Sequence, residues 1–254
     1  MPSYSYHNTM WKCILGGSIN AAVLFIRRYC DANPDKRPLF MLCNDDIRFL
    51  SSYSLLHAIS MISSDTVACA RIVNTLPACL DKVDLSDDQQ ANIQSPIHYE
   101  RTTGTFSASD ITSNPPNVSS TWALLATSDA WLSFGSIPPS IPHYLSDYWL
   151  TYNLHRSGFN LLFPETFLCV TSSLTTRNGP LRPSENIISS IISKLLSSVN
   201  PCSPSYAPAW IAFYTQHAPT VEVTKKICKH LIRFWLGKAL LRLGLSTVGS
   251  SAHN

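Results

Sequence analysis

Five consecutive apolar residues, Leu39-Phe40-Met41-Leu42-Cys43, stop abruptly at Asn44-Asp45-Asp46. A short continuous apolar run bounded in this way reads as a strand buried on both faces, the kind found in sheets covered by helices. The amide and two carboxylates that follow place polar chemistry at the carboxyl end of that strand, where open α/β sheets bind ligands. A chain built around this feature is expected to be α/β, with further strands and helices alternating along it.

The flanking sequence reads that way. Gly16-Gly17 forms a turn into a helix, with Ser18 as N-cap and Ala22, Phe25, Ile26 and Tyr29 at helical spacing. A second helix is predicted over Ser52 to Met61 and a strand over Thr66 to Val73. From Asp81 to Pro116 the chain is polar, a long surface excursion with a hairpin near His98 to Phe106. Trp122 to Ala126 reads as a strand and Thr127 to Phe134 as a short helix stopped by Gly135. Pro142 opens a helix from about His143 to Ser157, closed by Gly158, and Phe159 to Val170 suggests strands. Ser184 to Val199 is a predicted helix. Pro201 to Pro208 is a linker, and the remainder to Leu245 is helical with a break at Pro219.

Composition narrows the function classes. Lys plus Arg (19) against Asp plus Glu (16) gives a net charge of only +3, so no nucleic-acid partner is expected. Hydrophobic residues reach 45%, enough for a sizeable core. No uninterrupted apolar run approaches the roughly 18 residues of a membrane span, and the first residues lack a signal-peptide pattern. The eight cysteines form no C-x-x-C pair and are expected to be reduced and mostly buried, as in a cytoplasmic chain. Asn117-Val118-Ser119 is a glycosylation triplet of the kind that arises often by chance.

Two segments carry candidate chemistry. Asn44, Asp45 and Asp46 offer oxygen ligands for a divalent cation, which would neutralise a diphosphate leaving group. The same residues also suit an acidic helix start. In Pro142-His143-Tyr144-Leu145-Ser146-Asp147-Tyr148-Trp149, a helix would put His143 and Asp147 one turn apart on one face. A carboxylate there suits a general base on a hydroxyl, or equally a surface Asp among core aromatics.

Taken together, three stretches resemble family-2 glycosyltransferases of the rhamnosyltransferase-like branch. They are Trp11 with Gly16-Gly17-Ser18-Ile19-Asn20, LCNDDI from Leu42 to Ile47, and the run from Ser128 to Phe163 containing PHYLSDY. The resemblance implies an α/β, GT-A-like (Rossmann-like) mixed sheet flanked by helices. It implies metal-dependent, inverting transfer of a hexosyl-type sugar from a nucleoside-diphosphate sugar to a hydroxyl on a glycan or lipid-linked acceptor, as in polysaccharide assembly. Asp46 would hold Mg²⁺ or Mn²⁺. Asn44, Asp45, Gly17 and Asn20 would contact the donor. Asp147 would be the base, and His143, Tyr148 and Trp122 would line the acceptor side. Trp131 is expected in the core.

Members of this family begin with a strand, a helix and a second strand that bind the nucleotide. Here the Gly-Gly element comes too early to follow that unit, so an N-terminally truncated core over residues 1–175 is expected. A helical extension with a basic tail would occupy 176–254. Trp149 stands where the branch usually has an acid, and Asn153 where it has Arg. These two positions and the shortened start motivate an alternative: a non-catalytic or truncated homologue that binds glycan or a partner. The tail from Val223 to Asn254 has no acidic residue, and Lys225, Lys226, Lys229, Arg233, Lys238 and Arg242 interleave with apolar side chains. Such a segment either lies peripherally on an anionic membrane or packs on the core.

Overall fold

The computed structural model describes residues 15–44, 47–73, 96–109, 113–171, 187–217 and 220–244. In chain order, α1 (Leu15–Ala32) leads to β1 (Leu39–Cys43), β2 (Ile47–Phe49), α2 (Ser52–Ser60), β3 (Thr66–Cys69) and β4 (Arg71–Ile72). A hairpin of β5 (Ile97–Glu100) and β6 (Thr105–Ala108) precedes β7 (Ala123–Thr127), α3 (Ser128–Ser133) and α4 (Ser146–Arg156). Two strands, β8 (Asn160–Leu162) and β9 (Leu168–Thr171), are followed by α5 (Ile187–Ser197), α6 (Ala207–His217) and α7 (Val221–Arg242). The class is α/β with mixed sheets, as expected.

The main sheet has the order β1-β7-β3-β8. β7 is antiparallel to β1 and β3, and β8 is parallel to β3. Three strands therefore point one way and β7 the other. This arrangement gathers the carboxyl ends of β1, β3 and β8 around the amino end of β7. Ala123 to Ala126 is buried throughout, because β7 has a strand on each side and side chains packed on both faces. At Ala70 the chain changes sheets: its N–H bonds Ala123 C=O (2.8 Å), while the next N–H, of Arg71, bonds Phe167 C=O (3.0 Å). The strand predicted over Thr66 to Val73 is thus two strands, β4 belonging to a second sheet of order β2-β9-β4.

Other expectations change in detail. β1 is only partly buried, with Leu39 and Cys43 exposed, because among the described residues it is an edge strand. Ser18 lies inside α1 rather than at its cap. The helix begins a turn earlier and buries Gly16, Ile19, Val23 and Ile26, leaving Phe25 62% exposed. Gly16 explains this: its N–H bonds Pro142 C=O (3.0 Å), and a Cβ there would meet Ile141 C=O at 2.6 Å. α4 starts at Ser146, so His143 lies in the preceding turn rather than on the helix. Its far end is as expected. Gly158 takes φ 97° and donates to His155 C=O (3.0 Å), while Phe159 N–H bonds Leu154 C=O (3.1 Å), which closes the helix.

The cysteines are not mostly buried. Cys69 and Cys169 are, but Cys43, Cys202 and Cys228 are exposed and Cys30 is half-buried; all six are free thiols. The exposed ones end an outer strand, sit in a turn, and face outward from α7, so none has a layer above it. Cys13 and Cys79 lie outside the described residues, as does the expected boundary near residue 175. The buried cluster itself runs across that boundary: Phe213, Tyr214 and Val223 pack in one core with Ile19, Leu124 and Leu150. Trp131 is in this core, its indole N–H donating to Phe40 C=O (3.2 Å).

Candidate functional site

The residues leading into β7 organise the strand ends. Asn44, just past β1, donates its N–H to Trp122 C=O (3.0 Å). One residue earlier, Thr121 N–H donates to Asp147 Oδ2 (3.3 Å). α4 grips the same segment through Thr151, whose Oγ1 accepts Ser119 N–H (2.9 Å) and lies 2.8 Å from Asp147 C=O. Asn44 and Asp147 are about 100 residues apart in sequence, yet both are tied to Ser119–Trp122 at the carboxyl ends of the sheet. Asp45 and Asp46 follow Asn44 and lie outside the described residues.

Asp147 is half-buried in the first turn of α4. Its carboxyl lies at the helix N-terminus and accepts the Thr121 amide N–H. The residue that starts this turn, Leu145, is buried and has φ 70°, a left-handed backbone that a leucine rarely adopts. His143 holds the turn through its backbone: its carbonyl accepts the Ser146 hydroxyl (2.6 Å), and its ring packs beside that of Tyr144, centroids 4.7 Å apart. Tyr148 is half-buried with its ring 5.2 Å from Phe106. Trp122 is half-buried beside the apolar cluster of Ala68, Ala123 and Leu125.

The Gly17 and Asn20 element sits on α1. Gly17 is half-buried in its first turn. Asn20 clamps the loop before α4: its Nδ2 donates to Ile137 C=O and its Oδ1 accepts Ile137 N–H, both at 2.8 Å. One amide hydrogen and one lone pair remain beyond that clamp. Trp149 and Asn153 have structural partners as well. The Trp149 indole donates to Ser136 C=O (3.1 Å), and Asn153 Nδ2 donates to Trp149 C=O (2.7 Å).

Arg71 was not singled out in the sequence. With Ala70, Ser120, Trp122 and Phe163 it lines a cavity of about 20 Å³, room for roughly one water. Its Nε is buried without a hydrogen-bond partner among the described residues. A guanidinium nitrogen left unsatisfied beside a cavity is an arrangement that an anionic ligand or an ordered water would complete. The sequence signal was a lone Arg within the apolar run Val67-Ala68-Cys69-Ala70-Arg71-Ile72-Val73. Cys69 behind it is no nucleophile, since full burial pushes its thiol up to about 12.

The oxygen-rich set of Asn44, Asp45, Asp46 and Asp147 has the chemistry that Mg²⁺ or Mn²⁺ prefers. No group of three or more His, Cys, Asp or Glu side chains is close enough to hold a metal among the described residues. The triplet at Asn117 is closed to glycosylation in this fold. The side chain is buried, accepting Tyr99 N–H (2.7 Å) and donating to Tyr99 C=O (3.0 Å). No protein-family model matches the chain, and no curated protein is similar to it at a significant level.

Proposed function

We propose that the chain is a GT-A-type glycosyltransferase that moves a sugar from a nucleoside-diphosphate donor to a hydroxyl acceptor. The observation that carries this reading is the attachment of both Asn44 and Asp147 to Ser119–Trp122 at one end of a mixed sheet. A donor-binding motif and a base must meet there for direct displacement at a sugar carbon. A divalent metal held by Asp46, with Asp45 and Asn44 beside it, would supply charge neutralisation of the leaving diphosphate. Asp147, ionised at its helix start, accepts the proton of the acceptor hydroxyl as the new bond forms. Arg71 contributes a fixed positive charge on the diphosphate side. His143, Tyr148 and Trp122 surround the acceptor approach.

The test is a panel of nucleoside-diphosphate sugars with Mg²⁺ or Mn²⁺, reading release of nucleoside diphosphate. Wild-type release should fall by about 10²-fold or more in Asp147→Asn and be lost in Asp46→Ala. Turnover unchanged in both variants would remove the assigned roles.

A second reading has its own support. A cavity of about 20 Å³ at the strand ends is far below the roughly 300 Å³ or more of ordinary ligand pockets. Trp149 and Asn153 are also taken up by internal contacts. These features suit a homologue that binds glycan or a partner without transfer. The two readings separate in a thermal-shift screen. Metal-dependent stabilisation by a nucleoside diphosphate supports the transferase, and its absence supports the binding protein.

A further inference from the structure

α7 has two apolar faces, and only one of them is used inside the protein. Val223 is fully buried, Ile227 packs on the core, and His230 stacks on Trp210 with ring centroids 5.7 Å apart. Gly237 lets the helix touch α5: any Cβ there would collide with Leu195 C=O. Positions 223, 227, 230, 234 and 237 form one continuous stripe at helical spacing.

The opposite stripe faces solvent. Val221 is 73% exposed, Ile232 60%, Trp235 62%, Leu236 49% and Leu243 77%. At 100° per residue these fall within a sector centred on the side away from the core. Cations flank it. Lys229 and Arg233 lie on one side of the sector, Lys238 and Arg242 on the other. Glu222 is the sole acid of the helix, and it is paired with Lys225 (2.6 Å). Lys226 turns inward to Gly104 C=O (2.7 Å). Lys238 Nζ sits 4.7 Å from the Phe234 ring centroid and 5.7 Å from that of Trp235, which holds its charge beside an exposed indole.

We propose that this outward face of α7 docks on an anionic lipid bilayer, with Ile232, Trp235 and Leu236 entering the headgroup boundary and the flanking cations meeting lipid phosphates. Charge decides the occupant. An apolar strip between two cationic margins complements an anionic leaflet. A second copy of the chain packed about a two-fold axis would set those margins against their own kind. No helix among the described residues is long and apolar enough to cross a membrane, so contact through α7 would be peripheral.

Co-sedimentation of the full chain with vesicles tests this. Phosphatidylcholine vesicles containing phosphatidylserine should bind it about tenfold or more strongly than phosphatidylcholine alone, and high salt should weaken the binding. The double variant Trp235→Glu/Leu236→Glu should lose binding while keeping its far-ultraviolet circular dichroism. Lys229→Gln/Arg233→Gln/Lys238→Gln, which leaves the apolar strip intact, should lose the preference for phosphatidylserine. Failure to bind the anionic vesicles, equal binding to both vesicle types, or wild-type binding by the folded variants would each overturn the proposal. So would a wild-type dimer in light scattering that the double variant makes monomeric.

Discussion

On the proposed transferase reading Asp147 is the base, held at the start of α4 and tied to the Thr121 N–H (3.3 Å). Asparagine keeps its shape and removes its charge. Asp147→Asn should therefore lose transfer activity while its unfolding free energy in urea falls by only about 1 kcal/mol, the size of the weakened helix-start and amide interactions. A drop in stability matching the drop in activity would make the residue structural instead. Arg71 permits the reverse test. Its buried Nε has no partner among the described residues, so Arg71→Met is expected to hold or raise the melting temperature and to diminish any nucleoside-diphosphate-induced shift several-fold. A retained shift would show that the guanidinium does not meet the ligand. Gly16 belongs to the fold alone. Gly16→Ala must push Ile141 C=O away from a 2.6 Å approach, and a cost of about 1–3 kcal/mol in denaturant melts is expected. The place of Asp147 on a helix was legible in the sequence because it stands in a patterned aromatic segment. Arg71 was not, because its interest lies in a missing hydrogen bond, which only packing reveals.

Secondary elements were legible where local chemistry determines them. Thr127 caps α3 by accepting Ala130 N–H (3.3 Å), and Gly158 closes α4, so both ends could be placed from residue type. The start of α4 could not. Leu145 takes a left-handed backbone without being glycine or asparagine, and the turn around it is held by the Ser146 hydroxyl on His143 C=O (2.6 Å). Nothing in PHYLSDY announces that conformation, and His143 therefore sits off the helix. α7 was hard to read for a different reason. With apolar stripes on two sides its charges appear scattered, and they resolve into margins only once the inner face is known. That inner face contains His230, whose burial, with Arg233, Lys229 and Lys226 nearby, lowers its pKa from 6.5 to about 4. In the unfolded chain the ring binds a proton near pH 6.5, while in the folded state it resists until about pH 4. Its contribution to stability is thus complete above pH 6.5 and is lost progressively as pH falls toward 4. His230→Phe should flatten the pH dependence of the melting temperature across that window. A profile as steep as wild type would assign the acid sensitivity to other groups.

At the scale of the whole molecule, the extent of the resemblance and ordinary domain size suggest a sheet-bearing part and a helical extension, whereas the packing joins them. Phe213 of α6 is fully buried, with ring centroids 5.1 Å from Tyr99 on the hairpin, 6.1 Å from Tyr152 and 6.4 Å from Trp149 on α4. The turn of that hairpin is also fixed to α7, by Thr220 Oγ1 on Thr102 C=O (2.7 Å) and Lys226 Nζ on Gly104 C=O (2.7 Å). Helices that supply aromatic core to the helix carrying Asp147 act as part of the scaffold of the site. Sequence periodicity cannot register this, because it reports which face of an element is apolar and not which distant element covers it. One cooperative unit follows. Phe213→Ala removes a ring from the middle of the shared cluster and should cost about 3–5 kcal/mol. Circular dichroism, which follows all the helices, and tryptophan fluorescence, which follows Trp149 among others, should report a single urea transition shifted together to lower concentration. Two separated transitions, with the core's fluorescence change left at its wild-type midpoint, would mean that the extension folds on its own and only rests against the core. On the proposed transferase reading a joint shift has a consequence for the site: loosening α6 should lower turnover although Phe213 packs on Trp149 and Tyr152 rather than on Asp147, since a base on a mobile helix would lose its alignment with the acceptor hydroxyl.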